Sequence, residues 1–186
     1  MGKFRQFLTE VGDRATIPSD LKMVRRGGLQ GTSGWFPPIY TSYIFTIGSQ
    51  KYDLRIHMYV QEGEEEQSRY DYAISISFDA ERPKGRTYDL TNQHRPLEVM
   101  SAITGAVKQF IQTDLPKMVR IEFNIVQIEF EAKAEEEGDR RREHLYRKVL
   151  QKQLESIGIR GKIGYDKYGE NVIVDLVPPI KIRPAA

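Results

Sequence analysis

The sequence predicts an α+β fold, a mostly antiparallel sheet with two main helices packed on it and an N-terminal helix and arm. Three observations predict this. Six segments between Tyr43 and Val177 alternate apolar and polar residues with period two. Two longer segments, 96–112 and 138–156, place apolar residues at helical spacing. The first three alternating runs follow one another with no helix between them, which makes an antiparallel meander rather than a series of parallel crossover units.

The elements follow in chain order. Phe4, Phe7, Leu8 and Val11 recur at i, i+3, i+4 and i+7, with Lys3, Arg5, Gln6 and Glu10 off that stripe. Roughly ten residues hold no helix alone in water, so the stripe needs a surface to dock on, in this chain or in another protein. Gly12 to Pro38 is rich in glycine and reads as a linker or extended arm, with a basic cluster at Lys22, Arg25 and Arg26. Trp35–Phe36–Pro37–Pro38 is apolar and is expected to lid the edge of the core. The reading divides the chain into an amphipathic helix and arm over 1–38 and an α+β domain over 39–186.

The meander uses Tyr43, Phe45 and Ile47, a tight turn at Gly48–Ser49, then Tyr52 to Val60, an acidic loop over 62–67, and Tyr70 to Phe78. Ala73, Ser75 and Ser77 make one face of the third strand small, which implies that something packs closely there. Leu97, Met100, Ile103, Val107, Phe110 and Ile111 form one helical stripe that starts near Pro96 and is expected to stop at Leu115–Pro116. In the next strand Val119, Ile121, Phe123 and Ile125 alternate, then the parity shifts to Val126, Ile128 and Phe130, as a β-bulge would require. The second helix buries Leu145, Tyr146, Val149, Leu150 and Leu154 and stops at Gly158. A hairpin over 162–165 and 171–177 follows, and Pro178–Pro179 with a basic tail closes the chain.

Composition narrows the function classes. The 186 residues make one domain, able to bury roughly 70% of its unfolded surface. There is no cysteine, which removes disulfide frameworks, thiolate metal sites and cysteine nucleophiles. A net charge of +2 conceals 28 basic and 26 acidic residues, so charge is patterned locally. No apolar run approaches membrane-spanning length, and no membrane partner is expected. His57, His94 and His144 show no ligand spacing, no phosphate-binding loop or nucleophile elbow is present, and neither a metal nor a cofactor is expected. No catalytic constellation assembles, so a non-enzymatic role is expected.

Two motifs carry alternatives. Arg140, Arg141, Arg142, Arg147, Lys148 and Lys152 lie on the second helix near Tyr165 and Tyr168, a surface able to follow a phosphate backbone. The acidic runs at Glu62–Glu66 and Glu135–Glu137 oppose a broad nucleic-acid face. Glu131-Ala132-Lys133 is an E-x-K, the strand motif by which some nucleases hold a divalent cation beside an aspartate. The aspartates available, Asp79 and Asp89, precede the first long helix, so adjacency to this strand is not expected, and Glu131 and Lys133 are read as solvent-facing.

The first eleven residues, Met-Gly-Lys-Phe-Arg-Gln-Phe-Leu-Thr-Glu-Val, resemble the capsid-targeting sequence of internal head proteins of T-even-type tailed phages. The resemblance implies docking on the scaffold of the immature head through Phe4, Phe7, Leu8 and Glu10. It also implies cleavage after Glu10 by a prohead protease, with Leu8 the aliphatic residue two places before the cut. Gly2 and Val11 depart from that pattern. A second segment, Ile128 to Leu150, is similar to the end of small tailed-phage proteins of unassigned activity, through Phe130, Ala132, Lys133, Arg142, Leu145 and Tyr146. Together the resemblances imply a virion component or head-packaged internal protein, located in the virion or host cytoplasm. Its expected partners are other virion or scaffold proteins, with a nucleic-acid-binding accessory role as the alternative and a metal-dependent nuclease third.

Overall fold

The computed structural model describes residues 15–28, 39–60, 71–82, 85–87, 96–131, 140–166 and 171–185. The amphipathic stripe of residues 1–11, the Trp35–Pro38 segment, the acidic loop at 62–67, Asp89 and Lys133 lie outside the described residues.

Among the described residues, one mixed sheet of eight strands organises the chain. The strands are β1 (Lys22–Gly28), β2 (Ile39–Ile47), β3 (Gln50–Val60), β4 (Asp71–Arg82), β5 (Gly85–Thr87), β6 (Phe123–Glu131), β7 (Gly161–Tyr165) and β8 (Asn171–Ile182). Their order is β1-β2-β3-β4-β6-β8-β7, and β5 pairs with the end of β4. Every pair among them is antiparallel except β4 with β6. That parallel pair is joined through the helices α1 (Pro96–Gln109) and α2 (Leu115–Met118), because parallel neighbours need a long crossover connection. The third helix, α3 (Arg140–Ser156), connects β6 to β7. The α+β class, with a mostly antiparallel sheet and two main helices, is therefore the fold of this chain.

Strand alternation sorts the sheet into two faces. Tyr43 and Phe45 of β2, Tyr52 to Met58 of β3, Tyr72 to Ile76 of β4 and Val172 to Leu176 of β8 turn alternate apolar side chains into one core shared with the helices. The bulge keeps β6 in that core. Tyr72 pairs with Ile125 but Ala73 with Gln127, so Val126 is an extra residue. With it, Phe123 and Ile125 before the bulge and Ile128 and Phe130 after it all point inward. The parity shift legible at Ile125–Val126 is this bulge.

Helix α1 is buried well beyond one stripe. Positions 97 to 107 are buried except Glu98, including the Ser101, Thr104 and Gly105 side that a surface helix would expose. The sheet takes one side. On the other, Thr104 Oγ1 lies 3.0 Å from Gln153 Oε1 of α3, and residues 15–17 run across α1 as a strap. The Thr16 amide donates to the Ser101 carbonyl at 3.1 Å and the Ala15 amide to Ser156 Oγ at 3.2 Å. Gly105 permits the crossing: a Cβ there would stand 2.2 Å from the Thr16 carbonyl oxygen.

Three local expectations are corrected, and one short strand is added. Residues 22–28, read as part of a loop-rich arm, pair with β2 as the edge strand β1. A bulge at Val24 and the pair Gly27–Gly28 erase the alternation, and the pairing is a long-range effect. The three-residue β5 was too short to leave a periodic signal. Pro116 does not end the first helical segment: after Gln109 the chain widens into a π turn over Phe110–Asp114, and the Leu115 amide bonds Phe110 five residues back. Widening the turn accommodates a proline that would collide in a regular α-helix. Finally, β8 does not stop at Val177. Leu176 to Pro179 form the irregularity opposite Val126, and pairing resumes from Ile180 to Ile182. Proline is tolerated where the ladder is already interrupted.

Gly158 does end α3. Its φ is 81°, the Ile159 amide bonds the Leu154 carbonyl and the Gly158 amide bonds Glu155. This is a Schellman closure, sealed by buried Leu154 and Ile159.

Candidate functional site

The face of the sheet opposite the helices is polar. Register assigns to it Asp53, Arg55, His57 and Tyr59 of β3, Asp71 to Asp79 at odd positions of β4, Gln127, Glu129 and Glu131 of β6, and Asn171 and Asp175 of β8. The small side chains of β4 lie in the middle, so residues of β3 and β6 meet above them. Tyr59 Oη donates to Glu129 Oε2 at 2.9 Å across Ala73, which is fully buried. Asn171 Nδ2 donates to the other oxygen, Glu129 Oε1, at 2.7 Å and lies 3.1 Å from Asp166 Oδ2. The tyrosine hydroxyl is pushed up to about 12 by burial and then by its bond to the carboxylate. The expectation that something packs closely on Ala73–Ser75–Ser77 is thus met at Ala73 by the Tyr59–Glu129 bridge.

A second cluster lies further along β4. Asp53 and Asp79 are direct cross-strand partners, a like-charge pairing that is unfavourable unless a cation intervenes. Arg55 is that cation: its guanidinium is 2.7 Å from Asp79 Oδ2 and 3.6 Å from Asp53 Oδ2. Asp79 is nearly fully buried, and its Oδ1 has no hydrogen-bond partner among the described residues.

The sequence separation of Asp79 from the E-x-K strand does not keep them apart. Strands β4 and β6 are parallel neighbours, Ile76 pairs with Phe130, and Asp79 and Glu131 share the polar face. The crossover through α1 creates this adjacency, and it was not expected from sequence order. Glu131 is exposed and Phe130 buried, as the alternation required. Asp79 is engaged by Arg55, and among the described residues no group of three histidine or carboxylate side chains has metal-holding geometry.

The basic helix divides in use. Arg140, Arg141 and Arg142 form the first turn of α3. Arg147 is half-buried: it donates to the Ile163 carbonyl at 3.0 Å, with its guanidinium 5.9 Å from the centre of the Tyr165 ring. It docks α3 on β7 by a charge-assisted bond and a cation–π contact. Lys148 and Lys152 are exposed. Phe4, Phe7, Leu8 and Glu10 lie outside the described residues. Reading from sequence missed Tyr59, Asn171 and Asp166, whose partners become neighbours only in the sheet.

An open cleft of about 580 Å³ separates the strap from the β2–β3 turn, lined by Asp20, Thr46, Glu98 and Ser101 among others. A hydrogen bond from the Thr46 side chain holds the Asp20 carboxyl below its usual range. No described helix is long and apolar enough to cross a membrane.

The chain matches no protein-family model, no curated protein and no solved structure.

Proposed function

We propose that this protein is a non-enzymatic component of a tailed-phage particle, a virion protein or a head-packaged internal protein, and that it acts by binding other proteins. The observation that supports the reading is the strap. The Ala15 amide is tied to the Ser156 hydroxyl of α3 and the Thr16 amide to the Ser101 carbonyl of α1, so the fold is anchored at residues 15 and 16. The amphipathic stripe Phe4, Phe7 and Leu8 precedes that anchor in sequence and resembles a head-targeting peptide. Its proposed partners are scaffold or virion proteins in the virion or host cytoplasm. The alternative, nucleic-acid binding by the helix of Arg140, Arg141, Arg142, Arg147, Lys148 and Lys152, has less support because Arg147 is committed to β7.

Deleting residues 1–10 tests the proposal. The expected result is an unchanged melting temperature and loss of the protein from purified particles. If Phe4, Phe7 and Leu8 were core, each would stabilise the fold by roughly 1.5–3 kcal/mol, and a large fall in melting temperature would overturn the targeting role. Protein recovered from mature particles should begin at Val11. An intact N-terminus there would refute processing after Glu10.

A further inference from the structure

The strand order of the sheet ends in β7 on one side and β1 on the other, and the two edges are built differently. An edge strand turns every second amide and carbonyl away from its neighbour, and those groups can bond an extended chain that reaches them.

The β7 edge is closed by a side chain. The Asp166 amide bonds the Asn171 carbonyl, and the Val177 amide bonds the Arg160 carbonyl. Even-numbered residues of this stretch therefore face β8, and the Ile163 carbonyl faces outward. Arg147 donates to that carbonyl at 3.0 Å. A strand arriving from outside would have to displace a charge-assisted bond.

Among the described residues β1 has β2 as its one neighbouring strand. Ile47 and Gln50 flank a two-residue turn and are a hydrogen-bonded pair, so the even-numbered residues of β2 face β1. Ser42 and Tyr40 then bond Arg25 and Gly27, which leaves the amides and carbonyls of Arg26 and Gly28 on the outer side. The seven residues of β1 hold Lys22, Arg25 and Arg26 and no carboxylate. The bulge at Val24 gives Lys22 and Arg25, three apart in sequence, the positions opposite Ile44 and Ser42, on one face of the sheet. Lys22 is exposed.

Basic residues and a bulge on an edge strand discourage pairing between copies of one chain. Two β1 strands laid side by side would set Lys22, Arg25 and Arg26 of one copy against those of the other. An acidic strand meets the opposite situation, because the same cations attract it to the outward amides and carbonyls.

We propose that β1 accepts an extended, acidic segment of a partner protein as an added strand at this edge of the sheet. The proposal rests on the protein-binding reading above and names the chemistry of the partner. Main-chain bonds at Arg26 and Gly28 give affinity, and the cations of β1 give the preference for carboxylates. The phosphodiester backbone of DNA offers acceptors and no donor, so it meets the charge but not the outward carbonyls.

The test uses the full chain and a fluorescently labelled peptide that alternates glutamate with threonine. A lysine–threonine peptide, a single-stranded DNA oligomer and the glutamate–threonine peptide N-methylated at every amide are the comparisons. The unmodified glutamate peptide is expected to bind best, more weakly as salt is raised. N-methylation should cut its affinity by more than about tenfold, because an added strand needs its amide donors. Lys22→Gln with Arg25→Gln should weaken binding by roughly three- to tenfold, with the melting temperature nearly unchanged. In the unaltered protein, hydrogen exchange should show the Arg26 amide gaining protection when the peptide binds. Absence of binding at low salt would overturn the proposal. So would equal binding of the N-methylated peptide, tighter binding of the DNA, or an Arg26 amide whose protection does not change. The peptide assay uses isolated protein and the particle assay uses residues 1–10, so either reading can fail alone.

Discussion

Gly105→Ala isolates the strap. In the interior of an ordinary helix, alanine for glycine stabilises by about 0.5–1 kcal/mol, because glycine loses more backbone freedom on folding. Here an added Cβ would stand 2.2 Å from the Thr16 carbonyl oxygen, 2.4 Å from its carbon and 2.7 Å from the Ile17 nitrogen. All three are backbone atoms, so no side chain can swing aside, and the strap must move by on the order of 1 Å to reach normal contact. That displacement strains or breaks two hydrogen bonds, Thr16 to Ser101 at 3.1 Å and Ala15 to Ser156 at 3.2 Å. Each contributes roughly 0.5–1.5 kcal/mol. Offsetting the loss by the helix-propensity gain leaves a net destabilisation of about 0.5–2 kcal/mol, or a fall in melting temperature of roughly 1–8 °C for a domain of this length. Calorimetry measures the shift, and hydrogen exchange should show the Thr16 amide losing protection. A raised melting temperature with Thr16 protection intact would refute the reasoning. Gly158→Ala is the control: its φ of 81° penalises alanine by about 1 kcal/mol, but nothing lies within 4 Å of the new Cβ, so strap protection should not change.

Two further outcomes follow from the contacts described. Arg147→Gln should destabilise by about 1–2 kcal/mol in urea unfolding, since it loses a charge-assisted bond to the Ile163 carbonyl; a change within about 0.3 kcal/mol would show that the contact contributes little. Burial, and then the bond to Glu129, push the Tyr59 hydroxyl up to about 12 from its ordinary 10.0. A folded pKa raised above the unfolded one gives stability that is complete below pH 10 and is lost as pH rises towards 12; Tyr59→Phe should flatten that alkaline decline, and an identical decline in both proteins would count against it.

Much of this fold is legible along the chain because its information is local. Alternation placed β2, β3, β4 and β6, helical spacing placed α1 and α3, and the change of parity at Ile125–Val126 located a bulge before any partner strand was known. Gly158 marked the end of α3 because only a residue at ease with positive φ closes a helix that way. What the sequence could not carry is which distant segments become neighbours. Strand β1 hides its alternation behind a bulge and two glycines, and it is a strand because β2 offers it an edge. Gly105 looks like a weak point of α1 until the strap is seen to cross it. The parallel pairing of β4 with β6 put Tyr59, Glu129 and Asn171 into one network and brought Asp79 onto the face of Glu131, against the expectation drawn from chain order. Period and propensity are written in a few consecutive residues, whereas pairing is settled by burial and hydrogen bonding over the whole chain, and the polar network of Tyr59, Glu129 and Asn171 exists only at that level.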